Sequence, residues 1–280
     1  MSRREILLPW NSQPQEAVEL DSSNYLAKSL TYFLPLNGSN KESITGNNVT
    51  VAATGYFGVD QFGLSLRGNG TQACASMPLK LASHGLISVS FWMFWPSYAN
   101  DDDIALEYGN TFASASGFFV DPNSGAPASG NIQTGVGKPT AANCVQFARP
   151  SAGAWHHYAF VFNRYTNTSA STTVYVDGEL ASVSAAGSLQ AIGTNFADTT
   201  LHIFSRGGSS LFGAGRMANL AIRGSYSLSA EDVLAECLNP WQLFAPQRIW
   251  VPVSAASGPP TLAAIAASAL TASGARLTVT

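Results

Sequence analysis

Alternating apolar and polar positions run through residues 25–226 and predict a succession of strands. The clearest strand covers residues 86–95, where a period of two places five apolar side chains on one face: Ile87, Val89, Phe91, Met93 and Trp95. The other face begins with serines and ends with Trp92 and Phe94. Within this stretch no window of about 11 residues has a convincing helical period. A β section of this length predicts an all-β fold of two packed antiparallel sheets.

Further strands are predicted at residues 155–163, 201–204 and 217–222, and a hairpin at residues 173–180. The hairpin turn is Asp177-Gly178, a pair that tolerates the positive φ angles of a type I′ turn. One short helix near the C-terminal end of the β section follows from Ser229 as N-cap with Asp232 three residues later.

The two ends of the chain are predicted to be extended arms. Residues 1–23 mix charge, Pro and Gln, residues 24–238 form the sandwich, residues 239–256 are a Pro/aromatic segment, and residues 257–280 are a linker with one strand. Four aromatic residues in the arms are candidate anchors for docking onto partner proteins: Trp10, Trp241, Phe244 and Trp250.

Charge and composition exclude several functions. The chain has 14 Lys+Arg against 17 Asp+Glu, a net charge of −3, and no basic cluster beyond Arg3-Arg4, so nucleic-acid binding has no electrostatic basis. No signal peptide is recognised, and no stretch approaches the roughly 20 apolar residues of a membrane helix, so membrane insertion is not expected. The three cysteines favour buried free thiols, with one disulfide as the alternative: Cys74, Cys144 and Cys237.

Several sequence strings together resemble the laminin-G-like, concanavalin-A-like jelly roll. They are LTYFLPLNGS at 30–39, FGLSLRGNGT at 62–71, ISVSFWMFW at 87–95, WHHYAFVFN at 155–163, TVYVDGELAS at 173–182 and the strand and helix at 215–237. The resemblance covers residues 30–238 and implies two antiparallel sheets packed face to face, with loops gathered at one edge.

The flanks LLPWNSQPQ and NPWQLFAPQRIWVPV resemble those of phage and prophage virion proteins, and the last 22 residues resemble the start of a fibronectin-III-like piece. This resemblance implies a non-enzymatic structural or adhesion protein of a virion, associated with a tail fibre or decorating a capsid. Its expected partners are other virion proteins and further copies of this chain, and its expected location is the extracellular particle, released by lysis.

Catalysis lacks a candidate. The resemblance implies an E-x-D-x-E signature for the glucanases of this architecture, and the nearest run places Asp103, Ala105 and Glu107 on one face of a strand. The outer two carboxylates would lie roughly 13 Å apart at about 3.3 Å per residue. Glycosidases need roughly 5–9.5 Å. We therefore expect no enzyme activity from this strand.

A calcium ion is the one cofactor that the residues suggest. Asp101, Asp102 and Asp103 form an acidic cluster at a loop-to-strand junction, and carboxylates are ligands that Ca²⁺ prefers. A solvated turn is the favoured alternative. His156 and His157 are adjacent on a strand, so they point to opposite faces and cannot bind one metal together.

A glycan site is the main alternative function, in which the protein is a lectin for a host surface glycan. Trp95, Tyr98, Asn100 and Asp101 cluster at the end of a strand, and sugar sites combine aromatic faces with such polar groups. Packing of the two aromatic rings in the core is the favoured alternative for these positions.

Overall fold

The computed structural model describes residues 2–8, 14, 19–61, 63–98, 103–109, 117–122, 130–138, 141–166, 171–186 and 192–253. For residues 2–8, 138, 141–142 and 247–253 it describes the backbone alone. The strands are β1 Ser2–Leu8, β2 Tyr32–Leu34, β3 Thr50–Val51, β4 Tyr56–Asp60, β5 Gly63–Arg67, β6 Ala75–Leu79, β7 Leu86–Phe94, β8 Leu106–Tyr108, β9 Phe118–Asp121, β10 Asn131–Lys138, β11 Ala141–Ala148, β12 Trp155–Asn163, β13 Thr172–Val176, β14 Glu179–Leu180, β15 Ser184–Ala185, β16 Thr199–Ile203, β17 Arg216–Gly224 and β18 Gln247–Val253. The helices are α1 Tyr25–Lys28 and α2 Ala230–Leu238.

Two large antiparallel sheets form the sandwich, which confirms the predicted all-β architecture. Sheet I has the order β15-β11-β10-β9-β8-β16-β6-β3. Sheet II has the order β14-β13-β12-β7-β17-β5-β4, with β2 also paired to β17. The predicted hairpin joins β13 to β14, with positive φ at both Asp177 and Gly178.

The main core lies between the two sheets. The five residues predicted for the apolar face of residues 86–95 all lie in it. Phe91 stacks against Phe160 of β12, and Phe162 of the same strand stacks against Phe118 of sheet I, with ring centroids 5.8 and 5.0 Å apart. Aromatic rings from both sheets therefore fill this space, and burial of such rings is the main source of fold stability.

A second, smaller core covers part of the outer face of sheet II. Helices α1 and α2 and the segment after α2 pack there against β2, β12 and β17. Trp241 and Phe244 are 6% and 4% exposed in this core, and the Phe244 ring lies 5.6 Å from that of Phe33. They are thus core residues of this chain, which corrects the expectation that they dock onto partners. The physical reason is that the outer apolar face of sheet II needs cover, which a local pattern does not reveal.

The predicted capping box of α2 is present. The Ser229 hydroxyl accepts from the Asp232 backbone N–H at 3.2 Å, and the Asp232 carboxylate accepts from the Ser229 N–H at 2.9 Å. The four-residue helix α1, capped by Asn24, was not predicted because it is shorter than the pattern needed to recognise a helix.

The two arms pair with each other. β1 and β18 form a separate antiparallel two-stranded sheet in which Glu5 is opposite Trp250. Trp10 and residues 254–280 lie outside the described residues, as does the side chain of Trp250. All three cysteines are free thiols, with Cys74 buried and the other two partly exposed. No helix of the described chain is long and apolar enough to cross a membrane.

Candidate functional site

Five residues on neighbouring strands of sheet II form a continuous row across the sheet. In register order they are Tyr56, Arg67, Arg216, Phe94 and Trp155, each directly opposite the next. Their strand neighbours Phe57, Leu66, Met217 and Met93 pack into the main core, so alternation places the row on the outer face. Four inter-strand gaps of about 4.8 Å give the row a length of roughly 19 Å. We call these five residues the aromatic–arginine row.

Rings and guanidinium groups contact each other along the aromatic–arginine row. Tyr56 is 54% exposed and the other four side chains are half-buried. The Arg67 Cζ atom lies 6.0 Å from the Tyr56 ring centroid, and the Arg216 Cζ atom lies 4.4 Å from that of Phe94. The Phe94 and Trp155 centroids are 5.9 Å apart. The row therefore presents ring surfaces and charged donors side by side.

Of the four candidate glycan residues, the structure describes Trp95 and Tyr98. Trp95 is 3% exposed and packs in the main core, with its ring 6.0 Å from that of Phe204. Gly215 makes room for the Trp95 ring, because a Cβ atom there would collide with it. Trp95 is therefore not a surface for a ligand, and the favoured alternative, packing in the core, holds for this residue. The neighbouring Phe94, on the opposite face, is the residue that reaches the aromatic–arginine row.

Tyr98 is half-buried at the end of β7. The Arg149 guanidinium lies 4.9 Å above its ring, and its hydroxyl is hydrogen-bonded to Tyr158. Asn100 and Asp101, the other predicted ligand residues, lie outside the described residues, so the proposed cluster is described only at Trp95 and Tyr98.

Asp103 is the one member of the predicted calcium cluster that is described, and it is buried. Asp101 and Asp102 lie outside the described residues. Within the part of the chain that the structure describes, no group of three or more His, Cys, Asp or Glu side chains could hold a metal ion. Calcium binding stays a prediction.

Glu107 lies on the outer face of sheet I, opposite His202 in register, and is 1% exposed. Its Oε2 atom accepts from the Gly207 N–H at 2.9 Å, whereas Oε1 is buried and has no hydrogen-bond partner in the described part of the chain. Burial raises the pKa of Glu107 to about 7, against the opposing charge of Arg206. No second carboxylate of the described residues acts on this pKa. The loop carrying Gly208 lies against the His202 ring, so the Glu107 carboxyl group is closed off from solvent.

A second polar cluster links α2 to sheet II. The Glu236 carboxylate accepts from the Arg223 guanidinium and, at 2.8 Å, from the Ser90 hydroxyl. His157 Nε2 lies 4.0 Å from Glu236 Oε2, and burial lowers the pKa of His157 to about 4. A cavity of ≈ 20 Å³, room for about one water molecule, lies between these groups and Trp92.

His156 and His157 lie on opposite faces of β12, as predicted. His156 Nδ1 is 2.6 Å from Asp177 Oδ2, whereas the His157 ring lies 5.3 Å from that of Trp92. Each imidazole therefore has its own partners.

Solved structures similar to this chain include an arabinanase domain and the binding domains of two toxins. Domain 4 of AbnA, a GH43 extracellular arabinanase from Geobacillus stearothermophilus solved in complex with arabinotriose, matches with a TM-score of 0.53 and 15% identity, over 74% of this chain and 97% of that one. The botulinum neurotoxin serotype D binding domain matches with a TM-score of 0.58 and 16% identity, over 77% of this chain and 53% of that one.

A third solved structure, the binding domain of Paraclostridial Mosquitocidal Protein 1, has a TM-score of 0.53 and 15% identity, over 76% of this chain and 52% of its own. The chain thus spans about half the length of the two toxin binding domains, and at these identities the likeness shows the fold alone. No curated protein matches the sequence. A family model described as the concanavalin A-like lectin/glucanases superfamily matches residues 67–234. These residues are more than half of the chain, and the protein belongs to that superfamily.

Proposed function

We propose that this protein is a non-catalytic glycan-binding module whose ligand lies along the aromatic–arginine row. The observation that carries the proposal is the row itself, because it places three rings and two guanidinium groups in one continuous line on an outer sheet face. Aromatic side chains offer large apolar contact surfaces, and a few fixed polar groups beside them orient a ligand. A sugar ring has both an apolar face and a rim of hydroxyl groups, so it matches this arrangement.

The dimensions of the row favour an oligosaccharide. A length of roughly 19 Å exceeds a single sugar ring. The solved arabinanase domain, which has the same fold, was obtained in complex with arabinotriose, and the toxin domains are named as binding domains. These likenesses support a binding role for this chain.

The two buried glutamates Glu107 and Glu236 support a role without catalysis. Glycoside hydrolysis uses two carboxyl groups that flank the scissile bond. Glu107 is closed off beneath the loop of Gly207 and Gly208 with Arg206 as its charged neighbour, and Glu236 is held by Arg223 and Ser90. Neither carboxyl group is arranged as half of an exposed pair.

Replacing Tyr56 by Ala is expected to weaken glycan binding about tenfold. The ring is the most exposed of the row, and an aromatic contact contributes about 0.5–1.5 kcal/mol beyond its buried area. The ligand would first be selected on a glycan array and its affinity then measured by isothermal titration calorimetry. Tyr165→Ala is the matched control, because Tyr165 is also exposed but follows the opposite end of β12. Equal losses in both variants, or no glycan bound at all, would contradict the proposal.

A virion structural or adhesion role is the second candidate function, and it requires the chain to assemble with further copies of itself. β1 and β18 form a sheet of two strands, and within the described residues no third strand joins it. A two-stranded sheet is only marginally stable by itself, and its unpaired edges readily accept a further strand. We infer that a second copy of this chain supplies the missing contacts.

Self-association is therefore expected to depend on the pairing of β1 with β18. The full chain should sediment as an oligomer at micromolar concentration, and a variant without residues 2–8 should sediment as a monomer, because β18 then loses its only described strand partner. Analytical ultracentrifugation measures both, with far-UV circular dichroism as the control for folding. A monomeric full chain would refute the role of this two-stranded sheet.

A further inference from the structure

We propose that the ligand of the aromatic–arginine row is an acidic oligosaccharide, one whose sugars carry carboxylate or sulfate groups. The inference rests on the proposed glycan-binding function and adds the chemical class of the sugar. It follows from how the two arginines of the row are placed and partnered.

Arg67 and Arg216 are directly opposite each other on the adjacent strands β5 and β17. Like charges in directly opposed positions destabilise a sheet. Neither guanidinium forms an ion pair within the described residues. The only acidic residue on the five strands that carry the row is Asp60, which accepts a hydrogen bond from the Ser65 hydroxyl. The sheet thus holds two neighbouring positive charges that are not paired with a carboxylate of the described residues, in a chain whose net charge is −3.

Each of the two guanidinium groups lies beside a ring of the row. Arg67 lies across Gly58, where a Cβ atom would collide with it, and donates from Nη2 to the Val59 carbonyl at 2.7 Å. Its Nε atom is buried and has no hydrogen-bond partner among the described residues. Arg216 lies over Phe94. The row therefore contains two neighbouring units, each with one ring and one positive charge.

Such a unit matches one acidic sugar. The ring can contact the apolar face of the sugar, while the planar guanidinium donates paired hydrogen bonds to a carboxylate or sulfate. Two units side by side match two adjacent sugars of one oligosaccharide, so an oligosaccharide is expected to bind more tightly than a monosaccharide. The Arg216 side chain makes no hydrogen bond within the described residues, so its donors are available to the ligand.

Rings and arginines also occur together in proteins that bind single-stranded nucleic acid. That ligand is disfavoured here, because affinity for a phosphate backbone depends on many basic residues and this chain has a net negative charge. An oligonucleotide is therefore included in the test as a competing ligand.

The test is isothermal titration calorimetry of the full chain with four probes: an oligogalacturonide, a sulfated glycosaminoglycan oligosaccharide, the neutral cellotetraose and a short single-stranded DNA. The acidic sugars are expected to bind most tightly and to lose affinity as salt is raised. Arg67→Gln and Arg216→Gln should each weaken acidic-sugar binding about tenfold, because a hydrogen bond to a charged group is lost. The two acidic probes distinguish a carboxylate from a sulfate as the bound group.

Arg149→Gln is the matched control, because Arg149 also lies over a tyrosine ring but outside the row. Arg67→Lys and Arg216→Lys keep the charge and should retain part of the affinity, and thermal unfolding checks that every variant folds. If the neutral sugar binds as tightly, and Tyr56→Ala weakens it while the Arg→Gln variants do not, the inference fails and the proposed function stands. If no glycan binds, both fail. Tighter binding of the DNA would overturn the inference.

Discussion

Replacing Glu236 by Ala is expected to lower the free energy of unfolding by about 3–5 kcal/mol. Glu236 is 5% exposed, and its carboxylate holds the guanidinium of Arg223, which is fully buried, and the hydroxyl of Ser90. The substitution leaves Arg223 inside the protein without a carboxylate. An unpaired buried charge costs far more than a lost surface ion pair.

Urea unfolding followed by circular dichroism measures the effect, with Glu231→Ala as the control. Glu231 lies on the same helix but is exposed, so its replacement should change stability by less than about 0.5 kcal/mol. A double substitution of Arg223 and Glu236 by Met and Leu should recover much of the loss, since it removes both charges. A loss below about 1 kcal/mol in Glu236→Ala alone would show that Arg223 finds another partner.

The Arg223–Glu236 ion pair bears on function because it holds helix α2 against the outer face of sheet II. The outer face of β7 begins with Ser88 and Ser90, which bind the Tyr226 carbonyl at 2.6 Å and the Glu236 carboxylate at 2.8 Å. The same face ends at Phe94 in the aromatic–arginine row. Helix α2 therefore covers the serine end of this face and leaves Phe94, at the other end, for the proposed ligand.

The alternation along residues 86–95 was sufficient to predict a central strand and its core face. It also showed that the second face changes from serine to aromatic. The reason for the serines was not predictable, because their partners Tyr226 and Glu236 are more than 130 positions away in the chain. The local pattern specifies which face a side chain lies on but not what covers that face.

The candidate site could not be assembled from sequence. The aromatic–arginine row joins residues from position 56 to position 216, and only the register of five strands brings them into line. The sequence clustering of Trp95 with Tyr98 suggested a site at the strand end, yet Trp95 faces the core and its neighbour Phe94 faces outward. The period of two already indicated that these two aromatic residues lie on opposite faces.

The same limit explains Trp241 and Phe244. Prolines and aromatic residues in a segment without periodicity indicated that the segment packs on a surface. The structure shows that this surface belongs to the chain itself, where Phe33 and other residues of the second core receive the two rings. Whether a segment covers its own chain or a partner depends on the apolar area that the fold leaves uncovered, which is a property of the assembled sheets.

Replacing Glu107 by Gln is expected to stabilise the protein at pH 8 by about 3 kcal/mol and to have little effect at pH 4. Burial raises the pKa of Glu107 from 4.5 to about 7, so between these pH values the folded state holds a proton that the unfolded state has released. The unfolded state then binds fewer protons, and stability falls as the pH rises through this interval. Glutamine has nearly the same shape and no charge, so it avoids this loss.

The groups that face Glu107 support the sign of this effect. Arg206 favours the charged form and the Gly207 N–H donates to it, but burial is the larger influence on its pKa. His202 lies opposite, and burial lowers its pKa, which favours the neutral imidazole. The pKa of His157 falls from 6.5 to about 4 on folding, so the protein loses stability as the pH falls through this interval. This loss is the same in the wild type and in Glu107→Gln.

Urea midpoints at pH 4, 6 and 8 for the wild type and Glu107→Gln isolate the contribution of Glu107, with the exposed Glu231→Gln as the control. The difference between the two proteins should grow from pH 4 to pH 8 and be absent in the control. An equal pH dependence would mean that Glu107 is ionised beside Arg206 throughout. The expected result would instead identify Glu107 as an acid that is protonated below neutral pH, which agrees with its burial beneath the loop of Gly207 and Gly208.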